Sequence, residues 1–242
     1  IIDILELLLL AGIFVFILRF VFLHYTAKVR KPAAWVRAVK KGEVGPELRM
    51  LERRYPDKIR FYNIWLQTGR IHRENIPGDF AELGVYKGET ARVILQCARG
   101  RALHLFDTWE GFPPGDLAGE TGRASTYTTQ HFADASPGKV MKLLGDAPNV
   151  FVHEGYFPES ATAMHETHFA FVSLDADLQA PTAAGLEFFY ERLSPGGVIL
   201  VHDYNTDWPG LMKAVDEFCK KHGVIALPLP DADSTVMIAR TK

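Results

Sequence analysis

The sequence predicts an α/β protein: a doubly wound, seven-stranded, mostly parallel sheet behind an N-terminal hydrophobic helix. Three observations predict it. Short apolar runs alternate with helical stretches from Phe80 to Ala239, the pattern of a parallel sheet covered by helices. The first of these runs enters a glycine turn that opens a helix, GDFAELGVYKGETARV over residues 78–93. Acids stand at the carboxyl ends of later runs, the edge where doubly wound sheets gather ligand-binding groups.

At 242 residues and 48% hydrophobic content, the chain holds one such domain with a full core and an appendage. A net charge of −2 gives no electrostatic footprint for nucleic acid, and none is expected as a partner. The two cysteines, Cys97 and Cys219, fall in helical stretches without metal or redox spacing, so buried inert thiols are expected.

The appendage is residues 1–27. Ile4 to Leu23 is apolar apart from Glu6 and Arg19. A helix of about twenty such residues spans a bilayer core. Lys28, Arg30, Lys31, Arg37, Lys40 and Lys41 follow it, which under the positive-inside rule puts the rest of the chain on the cytoplasmic side. The expectation is a membrane anchor; the alternative is a helix buried against the domain or against a second copy. Residues 28–76 read as a basic linker and helical approach segment, and 77–242 as the catalytic domain.

Within that domain the strands expected are Phe80–Leu83, Ala102–Phe106, Asn149–His153, Phe169–Leu174 and Val198–Val201. Val224–Leu227 and Thr235–Ala239 form a terminal hairpin about a turn at Asp231–Asp233. Helices are expected over Glu89–Ala98, Lys139–Leu144, Thr182–Leu193 and Leu211–His222. The long irregular stretch Gly111–Pro137 follows the second strand, and a loop of that length reads as a lid, with a surface excursion as the alternative.

The first turn reads Glu82-x-Gly84-x-x-x-Gly88. Glycines there let backbone N–H groups approach a ligand, and the helix that follows adds partial positive charge. This spacing differs from the dinucleotide fingerprint and suits the amino-acid end of S-adenosylmethionine better than a pyrophosphate. An ordinary strand–turn–helix is the alternative. Asp107 ends the second strand, where an acid binds ribose hydroxyls or caps a helix. Gly155, Tyr156 and Phe157 follow the third strand and form either the floor of an adenine pocket or core packing. Leu83, Val85 and Thr108 complete the cofactor-binding set in the same turns. The fourth strand ends in Asp175 and Asp177, which share a face while the extended conformation continues, and the fifth in His202 and Asp203. Oxygen ligands converging from neighbouring strand ends suit Mg²⁺, while His202 suits a softer metal or a base.

The stretches GDFAELGVYKGETA, LFDTWEGFPP, HEGYFPES, LDADL, LSPGGVILVHDY and AVDEFCKKHG, from Pro77 to Gly223, resemble in order the macrocin O-methyltransferase family. That resemblance implies a class I methyltransferase (Rossmann-like) fold, S-adenosylmethionine and Mg²⁺. It implies that Glu82, Gly84 and Gly88 line the methionine end, that Asp107 holds the ribose, and that Asp175 and Asp203 ligate the metal. The acids of strands four and five are also similar to those of catechol-type O-methyltransferases. One position departs: the family shows two acids before the tyrosine, and here the first is His202, ahead of Asp203 and Tyr204. The implied reaction is methyl transfer to a hydroxyl of a sugar or polyol-like acceptor. Metal would be held by Asp175, His202 and Asp203, and Asp175 or His202 would take the proton. The apolar N-terminus extends the acceptor class to lipid-linked hydroxylated molecules. An inactive, anchored accessory protein is the rival reading, the glycine spacing disfavours a nicotinamide enzyme, and a homo-oligomer is compatible with the sequence.

Overall fold

A computed structural model describes residues 3–26 and 30–241 of the chain; the expected junction at 27/28, with Lys28, lies outside the described residues. The chain divides into two compact units, Ile1–Val44 and Gly45–Lys242. The first holds α1 (Ile4–Thr26) and α2 (Ala33–Lys40). Proline at the N-cap starts α2, and its C-cap Lys41 amide bonds back to Arg37.

The membrane expectation is corrected here. Among the described residues no helix is long and apolar enough to cross a membrane. α1 carries Glu6 and Arg19, and charges inside it work against the run of about 20 apolar residues that a bilayer core demands. A membrane-anchored chain with its catalytic domain on the cytoplasmic side is therefore not upheld.

The second unit opens with α3 (Pro46–Arg54) and α4 (Lys58–Arg73), then alternates strand and helix. The strands are β1 (Asp79–Leu83), β2 (Leu103–Asp107), β3 (Val150–Glu154), β4 (Phe169–Leu174), β5 (Leu193–Val201), β6 (Leu227–Pro228) and β7 (Val236–Ala239). Between them lie α5 (Glu89–Ala98), α6 (Pro114–Leu117), α7 (Pro137–Leu143), α8 (Gln179–Arg192) and α9 (Pro209–His222). The seven-stranded sheet has order β3-β2-β1-β4-β5-β7-β6, parallel except for β7, which runs antiparallel to both β5 and β6. The expected terminal hairpin is present, but its first strand is shorter and later than Val224–Leu227. β5 starts earlier than expected, because Leu193 already pairs with Phe169 before a register shift.

β4 is buried at every position, as a central parallel strand covered on both faces must be. α4 and α5 pack against each other and on the sheet, while α8 packs on α9 and on β4 and β5. The strand order reverses between β1 and β4, which opens a crevice at the carboxyl ends. Register then aligns the residues that matter. Leu83 pairs with Leu174, and Leu174 with Val201. The ladder continues one step further, with Asp175 N–H donating to Leu83 O (2.8 Å) and His202 N–H to Leu174 O (2.9 Å). Gly84, Asp175 and His202 therefore emerge side by side.

Candidate active site

The glycine turn is built by the backbone. Gly84 has φ +83°, and a Cβ there would run into the carbonyl of Asp175, so only glycine lets β1 leave the sheet this close to β4. Gly88, also left-handed, is the N-cap of α5 and offers no side-chain cap, which leaves first-turn amides open to a ligand. Asp107 fixes the turn from β2. Its Oδ2 accepts from Val85 N–H (2.7 Å) and Tyr86 N–H (2.8 Å), and its Oδ1 from Trp109 N–H (2.8 Å). Glu82 is 1% exposed and its Oε2 has no hydrogen-bond partner. Burial pushes its carboxyl well above the usual range; the Arg60 charge opposes this and Asp175 adds to it.

A cavity of about 380 Å³ runs along this edge. It is lined by Glu82, Leu83, Gly84, Val85, Gly88, Asp107, Thr108, Gly155, Tyr156 and Phe157, and also by Asp175, His202 and Asp203. The sheet thus brings every side chain singled out in the sequence to one space. Phe157 has a second place: it is buried and packs on Phe106 and Phe189, with ring centroids 5.5 Å away in each case. Thr108 Oγ1 donates to Gly111 O (2.9 Å), which ties β2 to the long loop. That loop contributes Gly111, Phe112, Pro113, Asp116 and Phe132 to the same cavity. It is held across the cavity mouth by Tyr156 Oη donating to Asp116 (2.9 Å) and by Lys87 Nζ paired with Asp134 (2.7 Å).

The other half of the cavity is built from charge. His202 and Asp203 are each 8% exposed. His202 Nδ1 lies 3.2 Å from Asp175 Oδ1 and 3.1 Å from Asp203 Oδ2, near both carboxylates but aligned for a hydrogen bond with neither. The far oxygen of Asp175 is taken by Arg60 Nη2 at 2.7 Å. Burial alone would lower the imidazole pKa, but Asp175 and Asp203 more than reverse this and push it up to about 10. Asp175 is held below the carboxylate range: its burial is outweighed by His202 and Arg60. Asp177 goes the other way; burial and the charges of Asp175 and Asp203 raise it well above that range.

One donor atom from each of Asp175, His202 and Asp203 lies within 4.8 Å of the others. Two carboxylate oxygens and an imidazole nitrogen, converging with that nitrogen buried and unbonded, fit a divalent cation.

The sequence does not single out Arg60, and it places Asp177 on the wrong face. Arg60 comes from α4, where nothing in its spacing marks it. Asp177 was noted as a strand-end acid, but its φ of +61° ends the extended conformation, so it does not simply repeat the face of Asp175.

Comparison with known proteins fits this geometry. The model of the macrocin-O-methyltransferase (TylF) family matches residues 38–241. The chain is 27% identical over 215 residues to the 8-demethyl-8-(2,3-dimethoxy-alpha-L-rhamnosyl)-tetracenomycin-C 4'-O-methyltransferase of Streptomyces olivaceus, covering 80% of each. It is 29% identical over 167 residues to the mycinamicin III 3''-O-methyltransferase of Micromonospora griseorubida, covering 63% of this chain and 64% of that one. The fold matches the O-methyltransferase NovP with a TM-score of 0.67 at 24% identity, over 76% of this chain and 81% of NovP. It also matches the calicheamicin methyltransferase CalS11, with a TM-score of 0.60 at 20% identity, over 88% and 95%. With a family model spanning most of its length and a class I methyltransferase sheet beneath the cavity, this chain belongs to the macrocin-O-methyltransferase family and is an O-methyltransferase.

Proposed function

We propose that the chain methylates a hydroxyl of a sugar borne by a small molecule, with S-adenosylmethionine as donor and a divalent cation bound by Asp175, His202 and Asp203. The observation that carries this reading is the single cavity joining the glycine turn to the acid–imidazole cluster. The rhamnosyl group named for the Streptomyces olivaceus relative supports a sugar acceptor. Residues 77–242 form the methyltransferase domain in this reading, and the preceding segment contributes Arg60. The lipid-linked acceptor rested on the membrane anchor and goes with it.

When bound, the donor supplies an activated methyl group and the cation supplies positive charge that lowers the acceptor's pKa. This chain's residues do the rest. Glu82, with its unbonded buried oxygen, receives the ammonium end of the donor, and Asp107 faces its ribose. Gly155 and Tyr156 border the adenine. Arg60 holds Asp175 Oδ2 and so leaves Oδ1 to the cluster. We assign proton acceptance to Asp177. Asp175 is a poor base because Arg60 takes its Oδ2 and its Oδ1 would hold the cation, and His202 would have given its Nδ1 lone pair to the cation. Asp177 lines the cavity, makes no ion pair among the described residues, and is raised by burial and by its anionic neighbours, which bound positive charge would offset. The acceptor O–H passes its proton to the Asp177 carboxylate as the new O–CH₃ bond forms and the S–CH₃ bond breaks.

Calorimetric titration of S-adenosylmethionine into the full chain, with and without Mg²⁺, tests the reading, followed by turnover on rhamnosylated acceptors. Binding with metal-dependent turnover is expected. A folded chain that binds no donor, or turns over equally well in a chelator, rejects it.

A further inference from the structure

Two helices open beside the acids, and neither supplies its own N-terminal cap. α8 begins two residues after Asp177; its N-cap is Leu178, and no acid lies in its first turn. α9 follows the Asp203 loop; its N-cap is Trp208, again with no side-chain cap and no acid in the first turn. Orphan amides and a partial positive charge are thus left at both starts, at the edges of the charged half of the cavity.

The loop supplies what is missing. Glu120, which lies between Asp116 of the cavity wall and the turn Gly122–Thr126, accepts the Gln179 N–H at the start of α8 through Oε1 (2.6 Å). Its other oxygen, Oε2, is buried without a hydrogen-bond partner and lies against Gly210 at the start of α9. A Cβ at position 210 would run into that carboxylate, so glycine there makes the slot that admits it. Beside it, Arg123 N–H donates to Asp207 O (2.7 Å), and the Arg123 guanidinium sits 5.7 Å from the Trp208 ring. One lid carboxylate therefore stands at two uncapped helix starts. One of these follows the strained Asp177, and the other follows Asp203, which is also left-handed at φ +63°.

We propose that Glu120 is a lid-borne positioning residue: by capping α8 and seating against α9 at once, it fixes the loops that carry Asp177 and Asp203 when the lid is docked. Lid position and catalytic geometry are then one coupled state, and an acceptor meets aligned acids only under a docked lid. Glu120 itself touches no reacting atom. Its kinetic consequence rests on the methyl-transfer reading above; its structural consequence does not.

The test compares Glu120→Ala, Glu120→Gln and Gly210→Ala in the full chain. Glu120→Ala is expected to lower kcat by about tenfold to a hundredfold, the cost of displacing a reacting group by a fraction of an ångström to one ångström. Affinity for S-adenosylmethionine, measured by calorimetry, falls far less than kcat, because the glycine turn and Asp107 are untouched and the lid keeps its separate ties at Asp116 and Asp134. Glu120→Gln recovers most of the rate, since its amide oxygen still accepts from Gln179. Gly210→Ala follows Glu120→Ala, because it closes the slot; if it does not fold, the two Glu120 variants decide. Hydrogen–deuterium exchange over residues 111–127 and 176–182 should rise in Glu120→Ala and return in Glu120→Gln. Unchanged kcat in Glu120→Ala, or loss of donor affinity in step with kcat, overturns the assignment. If the wild-type chain methylates no sugar acceptor, the functional reading fails, and exchange alone decides: unchanged exchange at both segments in Glu120→Ala overturns the positioning role.

Discussion

The two halves of the cavity are held by different forces. Around Gly84 and Asp107 the shape is set by backbone: a carboxylate collects three amide protons, and a glycine lets two strand ends touch. Around Asp175, His202 and Asp203 the shape is set by charge: two carboxylates crowd one imidazole, with a guanidinium behind. A backbone-built half is rigid and indifferent to most side-chain changes. A charge-built half depends on a balance that a bound cation, a proton or one substitution can shift. The chemistry proposed belongs to the second half, and the binding of the donor to the first.

The sharpest break of that division is Gly84→Ala, because Gly84 belongs to both halves. Its methyl would meet the Asp175 carbonyl at a positive φ, so β1 and β4 must part. We expect a loss of at least about 2 kcal/mol, combining left-handed strain with the clash. Thermal unfolding should fall by several degrees, and calorimetry should show weaker binding of both donor and metal. A variant that loses only donor affinity would mean that the halves are independent.

Asp177→Asn separates them instead. It keeps volume and removes the proton acceptor, so kcat should fall by about 10² or more while donor and metal affinities hold. Activity within a few-fold of wild type would move the proton to another group. His202→Asp probes the charge balance more gently. An acid at this position makes the donor set all oxygen, which favours Mg²⁺ over softer ions. The ratio of Mg²⁺ to Mn²⁺ affinity should rise by about tenfold, a change of about 1.4 kcal/mol. An unchanged ratio would mean that His202 does not ligate.

The same division explains what could be read from sequence. Glu82, Gly84, Gly88 and Asp107 sit in short local patterns, and their geometry follows from a strand entering a turn. The strands themselves were legible because β4 is apolar except for Ser173, and because β2 ends in an acid and an acid follows β4 directly. Arg60 was not legible: it meets Asp175 across 115 residues of sequence, and only the packing of α4 on the sheet brings them together. Asp177 was visible as an acid but not as a left-handed residue, since its conformation follows from the turn into α8. The N-terminal expectation failed for a related reason. Apolar composition is local, whereas spanning a bilayer needs length and apolarity together in one helix, and among the described residues no helix combines them.

The smallest expected effect lies behind the backbone-built half. His153 on β3 stacks on Phe106 at 4.5 Å and faces His104 Nδ1 through its Nε2 at 3.0 Å. Burial, with the nearby His104, lowers its pKa to about 4. The unfolded chain would titrate this ring near 6.5. Between those values the unfolded state binds more protons than the folded one, so stability rises with pH across the window. Stability from this site is complete above about 6.5, is lost as pH falls toward 4, and levels off below it. Because the ring is about half shielded, the slope should be well under the ~1.4 kcal/mol per pH unit of a fully shielded proton. Urea unfolding at pH 7 and pH 5 measures it. His153→Gln should lose less stability than wild type between the two, with donor affinity at pH 7 unchanged. An equal loss in both proteins would place the acid sensitivity in the charged cluster instead.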